Sequence, residues 1–261
     1  MLSSESNLKE TGFPYRAVVF DWAWTLVDLD TEDDRRPLER VFEFLSERGV
    51  GLPHFETFLS RSREVFAGMI ENSRRSHREA LFEHVINYLL LTFNIHLAGK
   101  STVRELLEQY YDEVYAVRKV FDDVGPTLAA LRRAGFPLGI ISNTTNPGFM
   151  KERECARLGL DSYFQFAIYS SEVPYRKPHR LIFDLATSIL KLPAAEILYV
   201  GDNLQVDVGG AKAAGMATAW VNRGREPGLP DIVPDHELER LTDLLDLTAR
   251  EISAKSPAGR R

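Results

Sequence analysis

The chain of 261 residues contains a single cysteine, Cys155, so a disulfide within the chain is excluded. A chain this poor in cysteine suits a reducing compartment. Cys155 falls in Lys151-Glu152-Arg153-Glu154-Cys155-Ala156, a helical-looking stretch where a small buried hydrophobe is the expected role. Positive charge is not in excess either. The 32 Lys and Arg against 38 Asp and Glu leave a formal charge of −6, which gives no electrostatic reason to expect nucleic acid or an anionic membrane as partner. Any affinity for an anion must come from a local site. Long apolar runs are also missing. The longest, Tyr88-Leu89-Leu90-Leu91, is far too short to span a bilayer, and the polar Met1–Glu10 has no signal-like apolar segment. A soluble, cytoplasmic protein is the expectation.

What is present is an ordinary globular mix of 44% hydrophobic and 27% charged residues, enough to build a sizeable core. Five short apolar runs read as strands: Ala17–Phe20, Leu138–Ile141, Phe166–Tyr169, Ile197–Val200 and Ala217–Val221. Their near-continuous apolarity suits parallel strands covered on both faces. Helical spacing of Leu181, Ile182, Leu185 and Ile189, and of Val208, Ala211 and Ala214, separates the later runs, with Gly215 as a C-cap. This alternation predicts an α/β fold with a doubly wound parallel sheet.

More than a hundred residues separate Phe20 from Leu138, and most carry helical patterns. Four amphipathic stripes, led by Leu38, Phe58, Val85 and Leu106, suffice for a second small core. The expected division is a core of residues 16–30 and 120–252, a helical insertion over 31–119, and loose tails at 1–15 and 253–261.

In such a sheet, ligands bind outside the carboxyl ends of the strands. The residues there are Asp21-Trp22-Ala23-Trp24-Thr25, then Ser142-Asn143, then Gly201-Asp202 with Asp207 five residues on; Lys177-Pro178 precedes a helix. Each fragment alone is a common turn or cap. Together they place carboxylates, a hydroxyl and an ammonium on one edge, the set that suits a phosphoryl group and a hard cation. Asn146-Pro147 is read as the N-cap and first turn of the next helix, with free N–H groups near an anion.

In this order the four segments resemble the motifs of the haloacid dehalogenase superfamily. Phe20 to Asp28 is similar to the first, Ile140 to Asn143 to the second, Lys177-Pro178 to the third, and Gly201-Asp202 with Asp207 to the fourth. The resemblance implies a Rossmann-like core and a phosphatase acting on a small phosphorylated metabolite through an aspartyl-phosphate on Asp21. It implies that Ser142 and Lys177 take part in catalysis, and that Thr25, Ser142, Asn143 and Lys177 bind substrate. It implies Mg²⁺ held by Asp21, Asp202 and the Ala23 carbonyl, with Asp207 in support. Ser142 and Lys177 lie only 35 residues apart, so the insertion falls between the first two motifs, as in members with a helical cap. Such a cap closes over the site and selects substrate, which makes His54, Arg61 and Arg63 candidate contacts. Arg74, Arg75, His77 and Arg78 read as a solvated basic cluster near a helix start. Oligomeric state leaves no signature in these motifs.

The chain departs from the family at Ala23, where phosphatases usually carry a second aspartate that protonates the leaving oxygen and then activates water. Three readings stand side by side: a phosphatase slowed by the loss of this acid and base, a non-catalytic phosphate binder, or a relative of phosphonoacetaldehyde hydrolases, whose first motif runs Asp-x-Ala-Gly-Thr. A natural alanine and an engineered one look alike in the sequence. The third reading needs a cap lysine for a Schiff base, and Lys100, at the far end of the insertion, is the only lysine between Asp30 and Arg118. Haloacid dehalogenases proper resemble the chain less, since they carry a bulky aromatic in place of Ala23 and lack the aspartate matched by Asp202. Mutases of the phosphoglucomutase type rely on the missing carboxylate.

Overall fold

The computed structural model describes residues 14–29, 33–224 and 227–247; both predicted tails lie largely or wholly outside them. A six-stranded, all-parallel sheet forms the centre, in the order β5-β4-β1-β6-β7-β8. Its strands are β1 (Ala17–Phe20), β4 (Leu138–Ser142), β5 (Phe166–Tyr169), β6 (Ile197–Gly201), β7 (Ala217–Val221) and β8 (His236–Leu238). The first five match the predicted runs. Two pairs of residues, β2 (Val27–Asp28) and β3 (Lys119–Val120), make a separate antiparallel ladder.

Both faces of the sheet are buried, which explains the lack of alternation in the strands. Val18 and Phe20 enter one apolar cluster with Leu128 and Leu131 of α5 (Val124–Arg133). Ala17 and Val19 enter the other, with Ile182 and Phe183 of α7 (Arg180–Leu190) and Ala211 of α8 (Gly210–Ala213). Successive residues thus serve opposite layers of one sandwich.

The long insertion folds into α1 (Arg35–Glu47), α2 (Phe55–Ser76), α3 (Phe82–Thr92) and α4 (Val103–Ala116). Leu38, Val41 and Leu45 of α1 pack with Phe58, Val85, Leu89, Leu107 and Tyr111 in a cluster of their own, joined from the core by Met150 of α6 (Gly148–Arg157). Thr102 starts α4 with a reciprocal cap. Its hydroxyl accepts from the Glu105 N–H at 3.2 Å, and its own N–H donates to the Glu105 carboxylate at 2.8 Å. The β2–β3 ladder brings together the chain entering the insertion and the chain leaving it.

Two local expectations are corrected. Helix α6 starts after Pro147, one residue later than predicted. The Asn146 amide makes no cap; it donates to the Tyr115 hydroxyl at 3.1 Å. The basic cluster at Arg74 and Arg75 closes α2 instead of opening a helix, because α2 runs through to Ser76 and ends on His77 in the left-handed region.

The carboxyl-terminal part is tied down by one buried carboxylate. Asp123 accepts from the Arg223 guanidinium at 2.8 and 3.0 Å and from the Leu241 N–H at 2.7 Å. Burial pushes this carboxyl up, but Arg223 and the N–H outweigh it and hold it below its ordinary 3.8. Its stabilisation is therefore complete above that value and is lost as pH falls through the lowered one. Asp123→Asn is expected to cost about 2 kcal/mol near neutral pH and to flatten the acid limb of the stability curve. Urea unfolding between neutral and acid pH measures both, and an unaltered acid limb would refute the assignment.

Candidate active site

The sheet order decides which motifs meet. β1 lies between β4 and β6, with Phe20 level with Ile140 on one side and Val200 on the other. Asp21, Ser142 and Asp202 therefore emerge from three adjacent strands, about 5 Å from one to the next. The Asp21 N–H donates to the Val200 carbonyl at 2.8 Å, which carries the ladder one residue past the strand.

The first motif then folds back sharply. The N–H groups of Leu26 and Val27 donate to the Trp22 carbonyl, and that of Trp24 to the Val27 carbonyl at 2.7 Å. Trp24 takes φ 61°, a left-handed conformation that suits glycine and costs a bulky residue about 1–2 kcal/mol. The turn buries Thr25, whose hydroxyl lies 3.3 Å from Asp21 Oδ2 and 3.5 Å from Asp202 Oδ1. Ala23 is half-buried and opens onto a cavity.

Lys177, in the segment between β5 and α7, sends its ammonium into the middle of this row. Nζ donates to Asp21 Oδ1 at 2.5 Å, to Asp207 Oδ1 at 2.7 Å and to the Tyr199 hydroxyl at 2.8 Å. Its backbone is held from the second motif: its N–H donates to Asn143 Oδ1 at 2.8 Å, and Asn143 Nδ2 donates to its carbonyl at 3.0 Å. The Asn143 side chain thus positions Lys177.

Asp207 is fixed at both oxygens. Oδ1 takes Lys177, and Oδ2 accepts from the Asn203 N–H at 3.0 Å. It sits in a π-helical turn, Leu204–Gly209, where the Val208 N–H reaches back to the Asn203 carbonyl at 3.2 Å. The approach to β6 is so close that a Cβ on Gly201 would stand 2.6 Å from the Asp207 Cβ. The glycine of the fourth motif is a packing requirement.

Among the described residues, Asp21, Asp202 and Asp207 each offer an oxygen within 4.8 Å of the others. Three carboxylates face one ammonium; Asp21, Asp207 and Lys177 are buried, and Asp202 is partly exposed. Burial first, then the charges of Asp21 and Asp207, push Asp202 up to about 8, with Lys177 opposing. Burial also pushes Asp21 up to about 6, against the pull of Lys177. For Lys177, burial pulls the ammonium down, but the two carboxylates together raise it above its ordinary value. All-oxygen donors with surplus negative charge fit a hard divalent cation. Asp21 and Asp207 each have both oxygens hydrogen-bonded, Asp207 by an ammonium and a backbone N–H and Asp21 more loosely on the Thr25 side. Asp202, met among the described residues only by the Thr25 hydroxyl at 3.5 Å, is the carboxylate most open to direct ligation.

Two cavities flank the row. The larger, about 790 Å³, is bordered by Asp202, Asn203, Trp24 and Trp220. The smaller, about 230 Å³, is bordered by Ala23, Ser142 and Asn143 and also by Ile70, Arg74 and Glu79 of the helical insertion. The smaller one lies between insertion and core beside the nucleophile candidate, so it suits a substrate despite its size. Neither cavity includes His54, Arg61 or Arg63 in its wall. Arg61 binds Glu64 at 2.7 Å, and Arg63 binds Asp34 through two nitrogens.

Two features lie outside the sequence motifs, Tyr199 and a buried cluster next to the first motif. Tyr199 stands within an apolar strand run, where a phenol among aliphatic residues is the available signal. Glu154, fully buried, is ion-paired with Arg118 and with Lys151, and accepts from Trp22 Nε1 at 3.2 Å. Burial pulls the Lys151 ammonium down, and Glu154 supports it.

A profile of haloacid dehalogenase-like hydrolases matches residues 15–215. A glyceraldehyde 3-phosphate phosphatase of Methanopyrus kandleri is 38% identical over 148 residues, 55% of this chain and 62% of that protein. One from Pyrococcus abyssi is 30% identical over 90% of this chain and 94% of its own length. A phosphoserine phosphatase of Thermus thermophilus is 33% identical over 51% of this chain and 52% of its own. Among solved structures, a 2-haloacid dehalogenase from Pseudomonas syringae superposes with TM-score 0.66 at 25% identity, covering 90% of this chain and 99% of that one. An HAD phosphatase from Thermococcus onnurineus gives 0.59 at 28% identity, over 89% and 97%.

The raised carboxyls would set the pH behaviour of this candidate cation site. Cation binding has to displace the protons held by Asp202 and Asp21, so affinity should climb with pH between about 6 and 8. Calorimetric titration with Mg²⁺ in buffers of different ionisation enthalpy is expected to show proton release near pH 7. Binding with no released proton would contradict the raised values.

Proposed function

The chain belongs to the haloacid dehalogenase-like hydrolase family, and on that footing we propose that it is a Mg²⁺-dependent phosphatase of small phosphorylated metabolites whose turnover is limited by Ala23. The observation that carries this reading is the Asp21–Lys177–Asp207 ion-paired row, set beside an open carboxylate at Asp202. The names of the relatives, phosphatases of three-carbon phosphate esters among them, support the same class. Residues 31–119 act in this reading as the cap over a core of 16–30 and 120–252.

Asp21 and Asp202, with the Ala23 carbonyl, hold the cation, which when bound neutralises phosphoryl oxygens. Asp21 is ionised above about 6 and is the nucleophile. One of its oxygens bonds to phosphorus as the bond from phosphorus to the ester oxygen breaks, giving an aspartyl-phosphate and an alkoxide. Lys177 holds Asp21 in place and offsets charge, and Ser142 borders the space for the phosphoryl oxygens. Thr25 fixes the loop. The alkoxide needs a proton, and the later attack of water on phosphorus needs a base. An aspartate at position 23 would serve both needs, and alanine serves neither.

The consequences are specific. General acid–base catalysis contributes about 10²–10⁴-fold, so Ala23→Asp should raise hydrolysis of an alkyl phosphate by that order. Aryl phosphates, whose leaving group needs no proton, should gain less. In the chain with Ala23 the phosphoryl group should accumulate on Asp21, visible by intact mass after acid quench and absent in Asp21→Asn. No gain from Ala23→Asp together with no phosphorylated protein would leave a phosphate binder as the better description.

The phosphonoacetaldehyde reading lacks its amine. Lys100 is exposed and donates to the Gly49 carbonyl at 2.6 Å, and the lysine on the cavity wall, Lys151, is ion-paired with Glu154. Borohydride added with phosphonoacetaldehyde should therefore give no lysine adduct.

A further inference from the structure

The two cavities beside the carboxylate row differ in what walls them. The smaller borders Ala23 and Ser142 and is edged by charged side chains. The larger, about 790 Å³, borders Asp202 and has the aromatic rings of Trp24, Phe121 and Trp220 in its wall. Its volume lies within the range of small-ligand pockets and is ample for a ring system or a nucleoside.

Folding alone gives no reason for an indole at position 24. The first loop imposes φ 61° there, a demand that glycine or asparagine meets at least cost. The turn uses only the backbone of this residue, whose N–H donates to the Val27 carbonyl. A bulky ring adds strain, and with 39% of Trp24 exposed, burial recovers little of it. Strain retained at a strand end, beside the Asp21–Asp202–Asp207 cluster, points to a task for the side chain.

The rest of the wall is held in place. Trp220 stands on β7 level with Gly201 of β6, and it is buried against Leu204, Val208 and Ile232. Its Nε1 bond to the Asp202 carbonyl, at 2.7 Å, fixes the ring relative to that carboxylate's backbone. The Arg223 guanidinium lies 4.2 Å from the centre of the Phe121 ring and donates to the Thr25 carbonyl at 3.1 Å, which ties the wall to the loop of Trp24. Among the described residues neither Trp24 nor Trp220 packs on another ring. An aromatic wall is thus set before anything binds, which lowers the ordering cost of binding.

We propose that the larger cavity is a stacking subsite for an aromatic ring in the alcohol part of the phosphate ester, and that Trp24 is its specificity-determining residue. The proposal rests on the phosphatase reading above and narrows its substrate class to monoesters that carry a planar ring. The phosphoryl group is served by Asp21, Ser142, Lys177 and the cation, and the ring is received by Trp24 with Trp220 beside it. A π-face gains from offset or edge contact with an indole beyond what burial of its area gives. A saturated ring of the same size gains burial alone.

Two matched pairs of esters test it, with Mg²⁺, on Ala23→Asp: benzyl against cyclohexylmethyl phosphate, and adenosine 5′-monophosphate against ribose 5-phosphate. The aromatic member should lead in kcat/KM, by about three- to tenfold in the first pair and about ten- to hundredfold in the second, mainly through KM. A preference in one pair alone supports the subsite and shows how far from phosphorus the ring sits. Trp24→Asn, added to the same chain, should bring the preference close to one, and Trp24→Phe should keep part of it. Trp24→Asn should also raise Tm, since asparagine accepts φ 61° more readily, which separates lost stacking from lost folding. Calorimetric titration of the first pair into the chain with Ala23 reads the same preference as a ratio of Kd. Equal kcat/KM within both pairs, or a preference unmoved by Trp24→Asn, overturns the subsite and leaves the phosphatase reading intact. No turnover of any ester defeats the phosphatase reading, and the Kd ratio then decides the subsite: a ratio of one removes it, and a ratio abolished by Trp24→Asn retains it on a phosphate binder.

Discussion

The ammonium of Lys177 is the contact on which the site depends. Two aspartates and a tyrosine surround it in a region closed to water, and each needs it for a different reason. Asp21 and Asp207 are like charges buried side by side, and the ammonium between them offsets both. Breaking such a buried pair costs about 3–5 kcal/mol, so the lysine shapes the fold as much as the chemistry. Its position is also over-determined. Asn143 grips its backbone from the neighbouring strand end, and Tyr199 rises from β6 to meet its tip. All four sequence motifs are thereby joined through one side chain.

Around that contact, local backbone geometry is spent on placement. The first loop turns within a few residues and accepts a tryptophan in a left-handed conformation. The fourth motif uses a π-helical turn to bring Asp207 against the bare Cα of Gly201. Both are irregularities at the ends of otherwise regular strands, where a side chain has to be aimed more finely than a strand or helix allows.

Much of this was legible in the sequence because parallel strands buried on both faces write themselves as continuous apolar runs. Asp21, Ser142 and Asp202 each follow such a run, so their convergence could be read from strand order. Features with little local signal were not legible. Strand β8 has three residues, of which only Leu238 is buried, and β2 and β3 have two each. Glu154 pairs with Arg118, 36 residues away, and bonds Trp22, 132 away; nothing in the helix around Cys155 announces those partners. Arg74 lies at the end of a helix and not near the expected start of one, because α2 continues through a polar, charge-rich turn that resembles a loop. Its place on the cavity wall follows only from the packing of insertion against core.

The three tryptophans of the chain are all drawn into this one region. Trp22 is buried against Lys151 and Glu154, Trp24 stands half-exposed at the turn, and Trp220 Nε1 donates to the Asp202 carbonyl at 2.7 Å. With no indole elsewhere, the tryptophan fluorescence of the molecule comes from the neighbourhood of Asp21 and Asp202. Its emission carries an optical record of charge and hydration at the strand ends, free of background from the rest of the sheet and from the helical insertion.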